Sequence, residues 1–495
     1  MFPSVDIKAH KGSSLEKTRQ LLQFTGFSTM TAEQELNELK ALLETDEIIY
    51  PESPDYVMNS RPFALQKDYK PKLVVRPKTL ESLSRTVRYL AESSLQFKVR
   101  SMGFGSASAK DVILSMRAFD QFEFDRDKEQ LILGVGQPWE NYYTKMEQIA
   151  PEYSVVSVRT PNIGVGGSTL SGGFSWLSGE HGCLSDPENL LDMQVVKLDG
   201  TVIWASEEPD LLWAMRGTEG SFAVAVAFKL RCFKYPQKVW SGPILIPNSR
   251  EAQKQICTGI LGMDQDHPEP KTALFLYRMN PEILKAIGDG KNGDMIVVHA
   301  FDARGEEAGR EAFGWALNIP GVIDRTRYQT MKELAMMQNG VGALTYTQTF
   351  YWTGIALARL SEDILMKSFE WYDECSMAAN DSLGSYSSLV FELFCTSESK
   401  SGRLSSGWPR PPGFKHMILI QSGSPGRSAA DDVARELAMQ GPSFILGPSA
   451  NRSSTANAIE DFHDVQEIYG ENYEKLKELK RQYDSKNRLN GWIKV

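Results

Sequence analysis

Cysteine and histidine are scarce in this sequence, and their spacing excludes the common disulfide and metal frameworks. The six histidines form neither an H-E-x-x-H nor an H-x-H pattern, and no two cysteines form a C-x-x-C pair. An odd and scattered set of thiols argues against a disulfide-stapled fold or a structural zinc site, so we expect no bound metal. The five cysteines are Cys183, Cys232, Cys257, Cys375 and Cys395.

Basic charge and long apolar runs are also lacking. The formal net charge is −9, and no dense Lys/Arg stripe offsets it, which argues against a nucleic-acid partner. No stretch is apolar enough to span a bilayer, so we expect no membrane partner. Residues 1–20 contain no apolar segment of signal-peptide length, which predicts a cytoplasmic protein.

The length of 495 residues is too great for one compact core and predicts two or three cooperating domains. Hydrophobic residues make up 41% of the chain and charged residues 24%, an ordinary globular mixture. Leucines at helical intervals over Thr31–Leu43 indicate a helical extension at the N-terminus.

A strand–helix–strand unit follows this extension. Leu73–Pro77 has the pattern of a short buried strand, Thr79–Ala91 that of an amphipathic helix with Thr79 as N-cap, and Phe97–Arg100 that of the next strand. From Val239 the sequence changes to longer strands and helices with more aromatic residues, which indicates a second α+β domain. The serine-, glycine- and proline-rich segment Ser422–Ser428 predicts a loop. The final segment, Val465–Tyr483, is charged and periodic and predicts one helix.

Two glycine-rich loops are the strongest local signal for a binding site. The first, Arg100-Ser101-Met102-Gly103-Phe104-Gly105-Ser106, directly follows a predicted strand, and the second contains Gly164, Gly166 and Gly167. Glycines let backbone N–H groups approach an anion closely, and successive N–H groups form a nest for phosphate oxygens. The loops are either tight turns or two sides of a pyrophosphate site. Neither is a Walker A loop, and neither is a complete G-x-G-x-x-G that opens a helix.

These loops resemble the FAD domain of the vanillyl-alcohol-oxidase type when they are taken with their neighbours. A strand–helix–strand unit, R-S-x-G-x-G, G-V-G-G-x-x-x-x-G-G and P-D-L-x-W-A-x-R-G (residues 209–217) occur in that order. Residues 469–487 resemble the C-terminal berberine-bridge motif, Y-x-x-N-Y-x-x-L-x-x-L-K-x-x-Y-D-P-x-N, with Ser485 in place of its proline. The chain is therefore similar to berberine-bridge-enzyme-like oxidoreductases. Its sequence resembles those of fungal members from specialised metabolism.

The resemblance implies an α+β fold in which a two-subdomain FAD-binding domain is joined to an α+β substrate domain with an antiparallel sheet. It implies that backbone groups of Ser101–Gly105 and Gly164–Gly167 meet the pyrophosphate, that Val224 lies by the cofactor, and that Asn472 lies near the flavin ring. The predicted division is 1–50 for the extension, 51–236 for the FAD-binding domain, 237–460 for the substrate domain and 461–495 for a segment that returns to the FAD domain.

Two departures from the family pattern predict noncovalent FAD. Many relatives attach the flavin through a histidine or a cysteine, and the matching positions here hold Phe104 and Thr160. An aromatic ring and a threonine hydroxyl provide no nucleophile for that bond. Ile163 matches a position where a Val or Ile side chain leaves oxygen access to the flavin, which favours an oxidase that uses molecular oxygen.

Glu392 is the first candidate for proton transfer. The resemblance implies a glutamate base on a strand of the substrate domain, and Glu392 lies among apolar residues at period-2 spacing. If its side chain faces the core, desolvation disfavours the charged form and prepares the group for proton transfer. The pattern leaves open whether it faces the core or the solvent.

Tyr351 and His181 are further catalytic candidates. Tyr351 lies in an aromatic cluster with Tyr346 and Trp352, which either lines a substrate pocket or packs in a core strand. His181 follows the second glycine loop and is either near the flavin or a structural histidine.

The sequence thus predicts FAD-dependent oxidation of a small organic substrate, in which a residue of the chain accepts a proton. Loss of both covalent anchors leaves an alternative open. The same fold could serve a non-redox isomerisation or cyclisation, with FAD structural or absent.

Overall fold

A computed structural model describes residues 30–105, 107–265, 269–279, 294–381, 383–393, 399–426, 428–448 and 455–495. Most of the predicted N-terminal extension, together with Ser106 and Cys395, lies outside these residues.

The described residues of the first half of the chain form two main sheets and one short two-stranded sheet. The order of the first sheet is β1-β2-β4-β3, in which β2, β4 and β3 run parallel and β1 is antiparallel to β2. The second sheet has the antiparallel order β5-β6-β10-β8-β9, and β7 pairs with β11. These strands are β1 (Ile48–Ile49), β2 (Leu73–Val75), β3 (Phe97–Arg100), β4 (Val112–Ser115), β5 (Phe122–Asp125), β6 (Gln130–Gly134), β7 (Tyr153–Ser154), β8 (Leu190–Val196), β9 (Val202–Trp204), β10 (Val224–Arg231) and β11 (Phe233–Lys234).

The described residues of the second half form one antiparallel sheet of eight strands. Its order is β15-β12-β14-β13-β18-β19-β17, and β16 also pairs with β12. These strands are β12 (Val239–Pro247), β13 (Thr272–Met279), β14 (Met295–Asp302), β15 (Ile323–Asp324), β16 (Arg327–Gln329), β17 (Thr349–Leu357), β18 (Ser388–Leu393) and β19 (His416–Ser424). The α+β fold class is confirmed.

The described α-helices cover the sheets and connect them. They are Ala32–Ala41, Tyr56–Ser60, Leu80–Glu92, Trp139–Ile149, Val165–Leu170, Ser178–His181, Pro209–Met215, Arg250–Gln265, Glu306–Ala312, Gly314–Leu317, Met331–Met336, Glu362–Asp381, Ala430–Leu446, Val465–Tyr469 and Tyr473–Tyr483. None of the described helices is long and apolar enough to cross a membrane. Among the same residues, no group of His, Cys, Asp or Glu side chains could hold a metal ion.

The predicted strand–helix–strand unit is present as β2, helix Leu80–Glu92 and β3. The helix begins at Thr79 because the Thr79 hydroxyl accepts a hydrogen bond from the Ser82 N–H group at 3.1 Å. Its buried residues Leu83, Val87 and Leu90 recur at helical spacing and pack in the core of the first sheets.

Two predictions for the second half of the chain are wrong in detail. The segment Val465–Tyr483 is not one helix, because Gly470 has a φ of +40° and separates Val465–Tyr469 from Tyr473–Tyr483. Ser422 and Ser424, predicted in a loop, belong to β19, since their backbone groups pair with β17.

The two faces of the eight-stranded sheet contact different cores. Leu389, Phe391 and Leu393 of β18 point toward the helices and join a cluster with residues of Arg250–Gln265 and Glu362–Asp381. Val390 of the same strand belongs to the cluster that also contains the cores of the first two sheets. Since successive residues of a strand point to opposite faces, the even-numbered residues of β18 face the first half of the chain.

Candidate functional site

The side chain of Arg100, the last residue of β3, stabilises the loop that follows this strand. The Arg100 guanidinium is buried and donates to the carbonyl oxygens of Arg61 at 2.7 Å and of Ala107 at 3.1 Å. Burial lowers the pKa of Arg100 to about 10, so the side chain stays charged at neutral pH. Its hydrogen bonds with carbonyl groups show that Arg100 shapes the loop from within.

The same loop presents backbone donors that the protein itself does not use. Gly103 has a φ of +82°, and a Cβ there would overlap the Arg100 guanidinium, so only glycine fits. Within the described part of the chain, the N–H groups of Met102, Gly103 and Phe104 donate no hydrogen bond. Gly105 is exposed, and a Cβ there would meet no atom within 4 Å. Successive free N–H groups of this kind suit an anion.

The second glycine loop packs directly against the first. A Cβ on Gly164 would overlap Ser101 Oγ and lie 2.9 Å from the Met102 nitrogen, and a Cβ on Gly166 would lie 3.1 Å from Ser101 Cβ. Gly167, in contrast, is exposed and has no atom within 4 Å of an added Cβ. The two loops therefore meet at residues 101–102 and 164–166, and each keeps open backbone beside that contact.

These loops fit the pyrophosphate of FAD. Two glycine-rich segments adjoin, the donors in one of them are unused, and tight packing admits no side chain at Gly103 or Gly164. A diphosphate needs this kind of close backbone approach from two sides.

The two positions that replace the covalent anchors hold side chains with other contacts. Phe104 stacks on Phe63 with ring centroids 4.1 Å apart, and Phe63 lies 4.8 Å from Phe350 of β17. The Thr160 hydroxyl donates to Gln338 Oε1 at 2.8 Å. Both side chains therefore connect the glycine loops with the second half of the chain.

Ile163 and Val224 differ in how far their side chains are buried. The Ile163 side chain is half-buried against the large core, and its carbonyl accepts a hydrogen bond from the Trp139 N–H group at 3.0 Å. Val224 is buried at the start of β10, opposite Val196.

Asn472 fixes the C-terminal segment to a loop beside the glycine-rich turns. Its side-chain amide donates to the carbonyl oxygens of Ser406 at 2.9 Å and of Gly407 at 3.3 Å. The next residue, Trp408, packs against Gly172 and Gly217. Residues 406–408 thus connect Asn472 with Gly172 and Gly217.

Glu392 lies on the face of the eight-stranded sheet that points toward the first half of the chain. It sits opposite Phe275 of β13 and Met417 of β19, and only 4% of its surface is exposed. Of the two orientations that the sequence left open, the structure has the buried one. Burial raises the pKa of Glu392 above its usual range, and the charge of Arg159 offsets part of that rise.

Arg159, which the sequence analysis did not single out, is the ionic partner of Glu392. Its guanidinium forms an ion pair with Glu392, donates to the Tyr277 hydroxyl, and lies 3.8 Å from the Phe275 ring centroid. Arg159 immediately precedes Thr160 in the segment that leads to Gly164. A lone arginine before a glycine loop was the signal available in the sequence, but nothing local indicated its partner.

The structure does not bring Tyr351 and Glu392 to the same face. Tyr351 pairs with Ser422, whereas its neighbour Trp352 pairs with Gln421, which in turn pairs with Ser388 on the Glu392 face. Tyr351 therefore points toward the helices. Burial, followed by the nearby Asp431 charge, raises its pKa to about 12.

His181 has the contacts of a structural histidine. Its ring stacks on Phe233 with centroids 3.7 Å apart, and Nε2 lies 2.9 Å from Glu180 Oε1. The Asn189 amide donates to its carbonyl at 2.8 Å.

Glu460 is another buried acid, and no local sequence pattern indicated it. It is 4% exposed and forms an ion pair with Lys67 at 2.7 Å. Burial raises its pKa, and the Lys67 charge opposes that rise.

Two protein families match parts of this chain. Residues 71–206 match the FAD binding domain family, and residues 457–490 match the berberine and berberine-like family. An uncharacterized FAD-linked oxidoreductase of Arthroderma benhamiae is 29% identical over 41% of this chain and 42% of its own length. Xylooligosaccharide oxidase of Thermothelomyces thermophilus is 30% identical over 39% of this chain and 40% of its own length. The chain thus spans about two fifths of these curated relatives.

The fold likeness extends over nearly the whole chain. The solved structure of berberine-bridge-enzyme-like protein 1 from Physcomitrella patens superposes with a TM-score of 0.75 at 16% identity, covering 93% of this chain and 97% of that one. The first match contains both glycine loops, and the second contains most of the C-terminal segment, including Asn472. The chain carries an FAD binding domain over residues 71–206 and a berberine-like segment over residues 457–490, on a fold like that of solved berberine-bridge-enzyme-like structures.

Proposed function

We propose that this chain oxidises a small organic substrate with noncovalently bound FAD and that Glu392 accepts the proton that the substrate loses. The observation that supports this best is the position of Glu392. It is a buried carboxylate on the inward face of the sheet, and its partner Arg159 belongs to the glycine-loop segment. An acid held between a cofactor loop and a substrate-side sheet is well placed for general-base work.

FAD, when bound, supplies the hydride acceptor, with molecular oxygen as the final electron acceptor. The chain's own residues do the rest. The unused N–H groups of residues 102–104 and the exposed backbone of Gly105 and Gly167 would hold the pyrophosphate. Glu392 takes a proton from the substrate's hydroxyl or amine as the adjacent C–H bond is oxidised. Phe275 and Val390, beside Glu392 on the sheet face, keep water away from the carboxylate.

From the same arrangement we infer which part of the chain binds the cofactor and which part binds the substrate. Residues 51–236 and 461–495 would bind FAD, and residues 237–460 would bind the substrate. Relatives include an enzyme named for xylooligosaccharides, so short oligosaccharides belong in the test panel beside aromatic alcohols typical of specialised metabolism.

The experiment is anaerobic bleaching of the yellow flavin band by each compound of the panel. A compound that bleaches the wild-type protein is then used to compare Glu392→Gln with Glu460→Gln, a matched change in another buried, ion-paired acid. We expect Glu392→Gln to slow bleaching by roughly 10²- to 10⁴-fold, the usual contribution of a general base. The proposed role is wrong if Glu392→Gln bleaches at the wild-type rate or no more slowly than Glu460→Gln. Conversion of a compound without any bleaching would favour the non-redox alternative.

A further inference from the structure

We propose that Arg159 is a positioning residue that keeps Glu392 ionised and fixes its carboxylate to the segment that leads to Gly164. Glu392 is then ready to accept a proton only when this segment, which we call the cofactor loop (residues 159–167), is in place. The inference rests on the proposed role of Glu392 as the proton acceptor. Arg159 itself transfers no proton.

Three contacts hold the Arg159 guanidinium in one orientation. One amino group contacts Glu392, another donates to the Tyr277 hydroxyl, and the flat face lies over the Phe275 ring at 3.8 Å. A planar guanidinium can satisfy all three at once, whereas a lysine ammonium provides neither the fork nor the flat face.

A closed set of hydrogen bonds ties this arrangement to the cofactor loop. The Thr160 hydroxyl donates to Gln338 Oε1 at 2.8 Å, and Gln338 Nε2 donates to the Tyr277 hydroxyl at 2.9 Å. Tyr277 also accepts from Arg159, the residue next to Thr160. Any displacement of the loop therefore moves Arg159, which is the ionic partner of Glu392.

No other ionised side chain among the described residues takes the place of Arg159 beside Glu392. Tyr277 on β13 is neutral, because burial raises its pKa. His299 on β14 faces the same side, and burial, followed by the Arg159 charge, lowers its pKa to about 3, so it is neutral above that pH. On β19 the opposite residue is Met417. The Arg159 guanidinium is thus the charge that counters desolvation of the carboxylate.

Loss of Arg159 should raise the pKa of Glu392 further and favour its protonated form. A buried carboxylate without a partner neutralises itself, and a protonated carboxyl cannot accept a proton. Arg159→Gln should therefore shift the rising limb of the bleaching-rate profile upward by at least about one pH unit, a tenfold change in proton affinity. Arg159→Lys keeps a charge without the fork and should shift the limb by less.

A first experiment needs no substrate and uses FAD-loaded protein. Unfolding by urea is followed between pH 4 and 9 for the wild type, Arg159→Gln, Glu392→Gln and the double variant. A raised folded-state pKa contributes stability below the unfolded pKa, and this contribution is lost as the pH rises through the folded pKa. Arg159→Gln should therefore lose stability over a wider range, toward higher pH, than the wild type. The double variant, which leaves no unpaired charge, should fold and follow Glu392→Gln. Parallel curves for the wild type and Arg159→Gln would overturn the proposal.

A second experiment separates this inference from the proposed function. Bleaching-rate profiles against pH are measured with a panel compound that reduces the wild-type protein. Wild-type bleaching by Glu392→Gln would overturn the proton-acceptor role and this inference together. A slow Glu392→Gln combined with an unshifted Arg159→Gln profile would overturn the inference alone. A slow Glu392→Gln with an upward shift in Arg159→Gln, smaller in Arg159→Lys, is the expected result.

Discussion

Substitution of Gly164 by alanine tests whether the contact between the two glycine loops holds the cofactor. The added methyl group would overlap Ser101 Oγ and lie 2.9 Å from the Met102 nitrogen. Ser101 cannot swing away freely, because its hydroxyl donates to the Val135 carbonyl at 2.6 Å. The loops must therefore separate, and overpacking of this kind costs about 1–3 kcal/mol.

We expect this cost to appear as weaker FAD binding, since FAD needs both loops in place. A penalty of about 1–3 kcal/mol corresponds to roughly 5- to 150-fold in the dissociation constant. The measurement is titration of FAD into the apo protein, followed by the change in flavin fluorescence. Gly262→Ala is the matched control, because the methyl group there meets no atom within 4 Å in helix Arg250–Gln265.

A third variant, Gly167→Ala, distinguishes loop geometry from direct contact with the cofactor. Its methyl group also meets no protein atom within 4 Å. Weakened FAD binding in this variant would therefore report close approach of the cofactor to Gly167. Wild-type FAD affinity in a folded Gly164→Ala protein would refute the argument that the two loops clasp the pyrophosphate.

Three further predictions concern attachment of the cofactor and stability. Acid precipitation should leave a colourless pellet and a yellow supernatant, and the intact chain should have its sequence mass; a flavin adduct on the denatured chain would contradict the interpretation of Phe104. The Lys480 and Asp484 side chains are fully buried, and their charged atoms are 2.6 Å apart. Because Lys480→Met leaves the Asp484 charge buried without this partner, it should lower the free energy of unfolding, measured in urea, by about 3–5 kcal/mol. A loss below about 1 kcal/mol would show that Asp484 finds another partner. Burial raises the pKa of Asp186 to about 6, so its contribution to stability is present below the unfolded pKa and lost as the pH rises through about 6. Asp186→Asn should flatten the stability curve between pH 4 and 6, and an unchanged slope would count against the raised pKa.

Local sequence patterns were sufficient for the elements that carry the cofactor loops. The strand β3 and the helix Leu80–Glu92 follow from apolar periodicity and from Thr79 as N-cap, which act over a few residues. Gly103 could be recognised for the same reason, since its positive φ is a property of one residue in a tight turn. Local patterns failed at Gly470, where a helix-compatible sequence contains a break.

The sequence alone determined the fold class, the FAD-binding domain and the two loops, because motifs and periodicity depend on residues close together along the chain. Only the tertiary structure decided which side chains share a site. The orientation of a strand residue depends on register, and a shift of one residue turns it to the other face. Glu392 and Tyr351 therefore lie on opposite faces although both were candidates. Arg159 and Glu392 are 233 residues apart, and no local pattern encodes a charge pair that forms only when a loop and a sheet pack together.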